Sequence, residues 1–228
     1  AAEILWSPSA AGNDGRPWAA TVDGFVPKTD LAGLLHLADS NASQSRTIYH
    51  LEENKYAKSN QNYSRVAESV LCDQKCRENG FVRGLVDRIT TVFEVPTNNC
   101  GDIVFTKFVP RQRTNPKLDG NTYDDIHPEG VAALSILVFL SGGEEGTEGG
   151  ILGLPNMDYT MVRPKAGRAV IWSNVRSDDP SRVTKGSEWE VMPVVTGSVS
   201  IMKLVLHMYD YQSLLEKGCL VGGMIFDQ

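Results

Sequence analysis

The chain has 228 residues, 41% of them hydrophobic and 22% charged, with a formal net charge of −6. These values are those of a soluble globular protein with a core large enough to fold alone as one domain. The acidic balance argues against a nucleic-acid partner, which needs a basic footprint. No apolar run approaches the roughly 20 residues that span a bilayer. The longest, 131–140, is broken by Ser135 and reads as a buried strand.

The first residues, Ala1-Ala2-Glu3, lack a Met, and processing to a mature form or trimming accounts for that equally well. Residues 1–17 are rich in Ala, Gly, Pro and Ser and read as an irregular arm, anchored by Trp6 or Trp18. The stretch 20–26 reads as a short strand ended by Pro27. Thr29-Asp30 then caps a helix whose apolar face is Leu31, Leu34, Leu35 and Leu37. Residues 39–65 are polar and read as loops with a short strand over 47–50. The stretch 66–76 fits a helix. Apolar residues at 81, 82, 85, 86, 89, 92 and 93 give 80–93 helical spacing, the pattern of a helix backing a sheet. Residues 18–100 thus form a strand with supporting helices.

From Asp102 the pattern changes to short strands separated by Gly, Pro, Asn and Asp turns, as in a β-sandwich or jelly roll. The predicted strands are 102–109, 131–141, 150–154, 158–163, 168–173, 189–195 and 198–208, within a core of 101–208. Residues 209–228 form an apolar tail carrying Leu214, Leu215, Leu220, Val221, Met224, Ile225 and Phe226.

The four cysteines are Cys72, Cys76, Cys100 and Cys219. Cys72 and Cys76 have no second close Cys/His pair, so they do not form a zinc motif. A Cys72–Cys76 disulfide, a bridge from either to Cys100, and four free thiols all remain open. The run 142–150 is glycine-rich but lacks a following Lys-Ser/Thr, so it is a turn and not a phosphate loop.

Several of these stretches, in order, resemble the prolyl 4-hydroxylase branch of the 2-oxoglutarate/Fe(II) dioxygenases. In Phe108-Val-Pro-Arg-Gln-Arg-Thr-Asn-Pro-Lys-Leu-Asp119, Phe108 matches the family's aromatic residue, Gln112 its glutamine, Pro116 its proline and Asp119 the aspartate of His-x-Asp. The long apolar strand 131–141, the acidic glycine-rich turn 142–150 and the Pro164-Lys-Ala-Gly-Arg-Ala169 segment follow as in the family. The stretch 187–197 matches Ser-x-His-x-x-x-Pro-Val-x-x-Gly through Ser187, Pro193, Val194 and Gly197. The resemblance runs from Val22 to His207. It implies an α+β chain with a double-stranded β-helix (a cupin-like jelly roll) and supporting N-terminal helices.

The resemblance also locates what is replaced. Lys117 stands where the family has its first iron-binding histidine, Trp189 where it has the second, and Val199 where it has the 2-oxoglutarate lysine; Asp119 is retained. Fe(II) in such a site needs two histidines and a carboxylate on one face. An ammonium and an indole offer no lone pair to a metal, and valine cannot neutralise a carboxylate. Lys117 and Asp119, two apart on a strand, point the same way and are expected to form an ion pair, with Trp189 filling the old metal cavity.

A rebuilt metal site would draw on His127, Glu129 and His207, with Asp124 and Asp125 nearby, while Lys203 shares strand parity with Val199 and could stand in as the 2-oxoglutarate clamp. His36 and His50 read as ordinary helix or strand residues. Arg111 and Arg113 read as a solvated face. Two function classes follow. One is a non-catalytic hydroxylase-fold subunit of a larger assembly, contacting protein partners through its arm and tail and using no cofactor. The other is an active dioxygenase of peptidyl proline or a similar substrate, requiring Fe(II), 2-oxoglutarate and ascorbate. A processed, acidic chain with a cysteine pair suits an organelle lumen or secretory compartment.

Overall fold

The computed structural model describes residues 2–7, 15–44, 67–119 and 128–219. The elements in chain order are β1 (Ala2–Trp6), β2 (Ala19–Val22), α1 (Lys28–Gln44), β3 (Glu68–Leu71), α2 (Gln74–Arg77), α3 (Gly80–Phe93), β4 (Cys100–Phe108), β5 (Ala132–Phe139), β6 (Glu148–Gly149) and β7 (Leu152–Leu154). They continue with β8 (Thr160–Val162), β9 (Ala169–Ser173), β10 (Glu190–Val191), β11 (Val194–Thr196), β12 (Val199–His207) and α4 (Gln212–Glu216).

The strands form a seven-stranded sheet in the order β1-β2-β9-β5-β12-β4-β3, a three-stranded sheet β10-β7-β8 and a two-stranded sheet β11-β6. Every pairing is antiparallel. Period-2 alternation gives the large sheet two apolar faces. On one face Ile103, Phe105, Ile136, Val138, Ile171, Met202 and Leu204 pack under α1 and α3, which contribute Leu34, Val82, Leu85 and Ile89. On the other, Phe108, Leu137, Phe139, Trp172, Val199 and Ile201 meet Leu152, Leu154, Val162 and Val191 of the smaller sheet. The helical layer thus backs the large sheet, and the smaller sheet covers its front.

Local chemistry explains the helix ends. Asn79 caps α3 by accepting from the Phe81 amide, and Asp73 caps α2 by accepting from the Cys76 amide at 2.8 Å. Glycine is required where the turn after β5 returns against β11. Gly149 has φ of 83°, and a Cβ there would lie 2.3 Å from the Pro193 carbonyl oxygen.

Four expectations need correction. Residues 1–17 are not wholly an irregular arm, because Ala2–Trp6 pairs with β2 as an edge strand. Their average composition hid the short strand-forming stretch Ala2-Glu-Ile-Leu-Trp6. The helix expected over 66–76 is a strand followed by one helical turn. Ser69, Val70 and Leu71 complete the edge of the large sheet against β4, with Ser69 and Thr106 sharing a buried hydrogen bond of 2.8 Å, and α2 starts only after Asp73. The loop expected from residue 39 begins later, since α1 continues to Gln44. The strand expected over 189–195 is split at Met192-Pro193, as proline withholds an amide from the ladder. The tail contains α4, whose following residues 220–228 lie outside the described residues, as do the strand expected over 47–50 and His50.

Cys72 and Cys76 are joined by a disulfide that ties the end of β3 to α2. Cys100 is a buried free thiol whose pKa burial pushes up to about 11, and Cys219 is exposed. Among the described residues no helix is long and apolar enough to cross a membrane.

Candidate functional site

The segment carrying Lys117 and Asp119 runs antiparallel beside the chain of β10 and β11. Arg111 donates to the Val194 carbonyl, Thr114 to that of Val191, and Lys117 and Trp189 exchange both backbone hydrogen bonds at 3.0 Å. This exchange makes Lys117 and Trp189 direct cross-strand neighbours, with the Lys117 ammonium 4.4 Å from the indole centroid. The sequence match had placed both residues at iron positions. The fold brings them together as a cation on an aromatic face.

Three strands of the large sheet supply the rest. Their front-facing residues are apolar along most of their length and turn polar at one end: Ser135 on β5, Lys203 on β12 and Asn174 just past β9. Asp119 enters there with its side chain 6% exposed. It accepts a hydrogen bond from Ser135 Oγ at 2.6 Å and holds the Lys203 ammonium at 2.5 Å. Ser135 in turn accepts from Asn174 Nδ2 at 2.8 Å. Because Ser135 spends its proton on Asp119, it must accept from Asn174, which fixes the orientation of that amide.

The ion pair expected between Lys117 and Asp119 is therefore corrected: the partner of Asp119 is Lys203. Strand parity put Lys117 and Asp119 on one side but could not show that β12 delivers a closer cation. Lys203 lies 5.1 Å from the Trp189 centroid, so both ammoniums sit against one indole. Its strand parity with Val199 holds, but its charge is committed to Asp119 and not directed to a 2-oxoglutarate carboxylate.

Trp189 is 2% exposed and tilts against Trp172, ring centroids 5.9 Å apart. The two pack together within the front core. Neither indole N–H has an acceptor among the described residues, and neither does the Asn174 Oδ1 have a donor. Val199 is fully buried opposite Phe108, against the glycine turn, where a Cβ on Gly150 would come within 2.6 Å of its Cγ2. That side chain brings no polar end to the site.

Burial, and secondarily repulsion from Lys203, pulls the Lys117 ammonium down to about 8, with Asp119 opposing the shift. The sign follows from linkage. Unfolded lysine titrates near about 10.4. Below about pH 8 both states carry the proton and the full cost of burying it is present. Between about 8 and 10.4 the folded chain has released the proton and the unfolded chain has not, so stability rises with pH. Lys117→Met is expected to be about 1–2 kcal/mol more stable than the parent chain at pH 7, after discounting for water around a half-buried side chain. Chemical denaturation across pH 7 to 10.5 should show that advantage closing.

Among the described residues, those at the family's metal positions do not fit Fe(II). Around Asp119 stand two ammoniums and an indole, which have no lone pair to give. Among the described residues no three His, Cys, Asp or Glu side chains cluster as a metal site. Of the alternative ligands, His127 lies outside the described residues with Asp124 and Asp125. Glu129 is buried, and its carbonyl accepts from the Tyr209 amide. His207 stacks on Tyr211 with centroids 4.5 Å apart, four residues, or about 13 Å, along β12 from Lys203. Sequence reasoning missed Ser135 and Asn174. The interruption of an apolar strand by Ser135 was the available signal.

No protein-family model and no curated protein sequence matches the chain. Solved structures do. A viral collagen prolyl hydroxylase from Paramecium bursaria Chlorella virus-1, in complex with 2-oxoglutarate, aligns with a TM-score of 0.58 at 18% identity, covering 83% of this chain and 94% of that one. A Trichoplax adhaerens prolyl hydroxylase in complex with a hypoxia-inducible-factor peptide aligns at 0.52 and 12% identity, covering 86% of each chain. A Pseudomonas putida prolyl-4-hydroxylase aligns at 0.50 and 15%, covering 82% and 91%. At such identities the likeness is one of backbone, and on that ground the chain has a prolyl-4-hydroxylase-like fold.

Proposed function

We propose that this chain is a non-catalytic protein of the double-stranded β-helix type, with its iron position given over to a lysine–aspartate pair, and that it acts as a binding or structural subunit of a larger protein assembly. The observation that carries the reading is the Lys203 ammonium 2.5 Å from Asp119, the one carboxylate retained at the family's metal positions. A fixed positive charge on that oxygen opposes a divalent cation there by Coulomb repulsion. Trp189 adds bulk with no ligand atom. A binding role draws support from β1, which among the described residues is an edge strand and exposes Ile4, because a strand edge is a template for a partner's backbone.

The test is anaerobic Fe(II) binding by the purified chain, with and without 2-oxoglutarate. No stoichiometric iron is expected in either case. One tightly bound iron per chain, lost in His127→Ala or Glu129→Gln, would overturn the proposal and favour an active dioxygenase with a shifted ligand set.

A further inference from the structure

We propose that the outer edge of β8 is a self-association surface, on which a second copy of this chain pairs its own β8 antiparallel about a two-fold axis at Met161. The inference concerns the smaller sheet and holds whether or not iron binds at Asp119.

The backbone directions set the register. Among the described residues the smaller sheet runs β10-β7-β8, so β8 has no strand on its outer side. Val191 gives its amide to Thr114 Oγ1 at 2.7 Å and accepts the Thr114 amide at 3.0 Å, so both of its backbone groups face away from β7. Backbone groups alternate in direction along a strand. Glu190 therefore faces β7, where it is paired with Gly153, and the groups of Gly153 face β10. Gly153 is also the partner of Met161 in β8. With Gly153 turned to β10, the Met161 N–H and C=O point to the outer edge. An antiparallel pair of identical strands centred on such a residue is closed by that residue bonding its own copy twice, as a two-fold axis requires.

The side chains fit the same partner. An exposed edge is ordinarily blunted by charge, proline or a bulge. On β8, Met161 is 60% exposed, and Tyr159 just before it is 72% exposed. Asp158 and Tyr159 both have φ of 51°, the left-handed region that is strained for a bulky residue. The turn fixes them there, because the Thr160 amide and hydroxyl both donate to the Met157 carbonyl, at 3.0 and 2.6 Å. Pairing about Met161 sets Tyr159 opposite Arg163 of the second copy, an exposed ring against an exposed guanidinium. The acid Asp158 precedes β8 and the base Arg163 follows it, so an antiparallel copy brings opposite charges together at both ends. That self-complementarity selects a second copy of the chain. Pro164 stops the ladder after Arg163, so the contact is short, below about 1,200 Å², and belongs with reversible associations.

Sedimentation equilibrium of the full chain over a concentration series tests the assignment. Every protein carries Cys219→Ser, because that exposed thiol could link copies by itself. A concentration-dependent monomer–dimer equilibrium is expected. Arg163→Glu sets like charge against Asp158 of the second copy and should weaken the dimer about tenfold or more, since the two-fold counts each lost contact twice. Val92→Glu, at an exposed position on α3, should leave it unchanged. Register is read separately by Met161→Cys under mild oxidation. A covalent dimer is expected, because Cα atoms of a directly bonded pair lie about 5.5 Å apart, within disulfide reach, and Val92→Cys should give none. A chain monomeric up to about 1 mM, an undiminished dimer in Arg163→Glu, or no cross-link through Met161→Cys would each overturn the assignment. Equal weakening by Val92→Glu would move the contact to the helical layer and overturn it too.

Discussion

Asp119→Asn is expected to destabilise the fold by about 3–5 kcal/mol, the cost of removing one member of a buried ion pair while its partner stays behind. The effect should reach the upper part of that range because the loss is compound. Lys203, with its side chain 17% exposed, loses its counter-ion, and Lys117 keeps its own charge nearby on the same indole. Asparagine keeps one acceptor oxygen where the carboxylate offers two, so Ser135 and Lys203 compete for it and the donor chain that orients Asn174 is weakened. Urea denaturation at pH 7 measures the effect. The double variant Asp119→Asn/Lys203→Met should recover most of it, since removing both charges removes the uncompensated one. A single-variant cost below about 1 kcal/mol would mean that water screens the pair as it does on a surface, and the account of a buried ion pair would fail.

Trp189→Ala is expected to cost about 3–5 kcal/mol, the range for deleting a large buried aromatic side chain. The residue is nearly inaccessible and lies where the motif segment, β10 and the large sheet meet. Both lysines would also lose the aromatic face beneath them, an attraction of about 0.5–2 kcal/mol each. Trp189→Phe separates the two contributions, because it keeps much of the packing and a weaker ring. Thermal unfolding of the three proteins should place the phenylalanine variant between the others. Equal loss in both variants would show that the indole shape, and not its volume, is what the pocket requires.

The strands from Asp102 onward were legible because alternation survives in sequence wherever one face meets a core. Long α3 was legible for the matching reason at helical spacing. Short edge elements were not. Val70 and Leu71 carry too few residues to show a period, and only pairing with β4 makes them a strand. At the site, Lys117, Trp189 and Val199 could be placed from the spacing of Pro116, Pro193, Val194 and Gly197. Which cation serves Asp119 could not. That choice depends on β12 lying beside β5, which brings Lys203 opposite Leu137, two residues along the strand from Ser135. Sequence neighbours share a side of a strand, but cross-strand neighbours are set by the register of the finished sheet.

That register has a consequence for synthesis. The strand at the middle of the large sheet, β12, is the last of its strands along the chain, and it joins β4 to β5. A ribosome-bound chain that has emerged only as far as the glycine turn holds β4 and β5 with no ladder between them. Their inner edges stay open until about fifty to sixty further residues are made, and the pairings that close them span some sixty to one hundred positions. Nothing N-terminal to β12 can supply that seam. Folding of the central sheet must therefore wait for nearly all of the described chain to leave the exit tunnel, and until then β4 and β5 offer unpaired backbone to a holding chaperone or to another nascent copy.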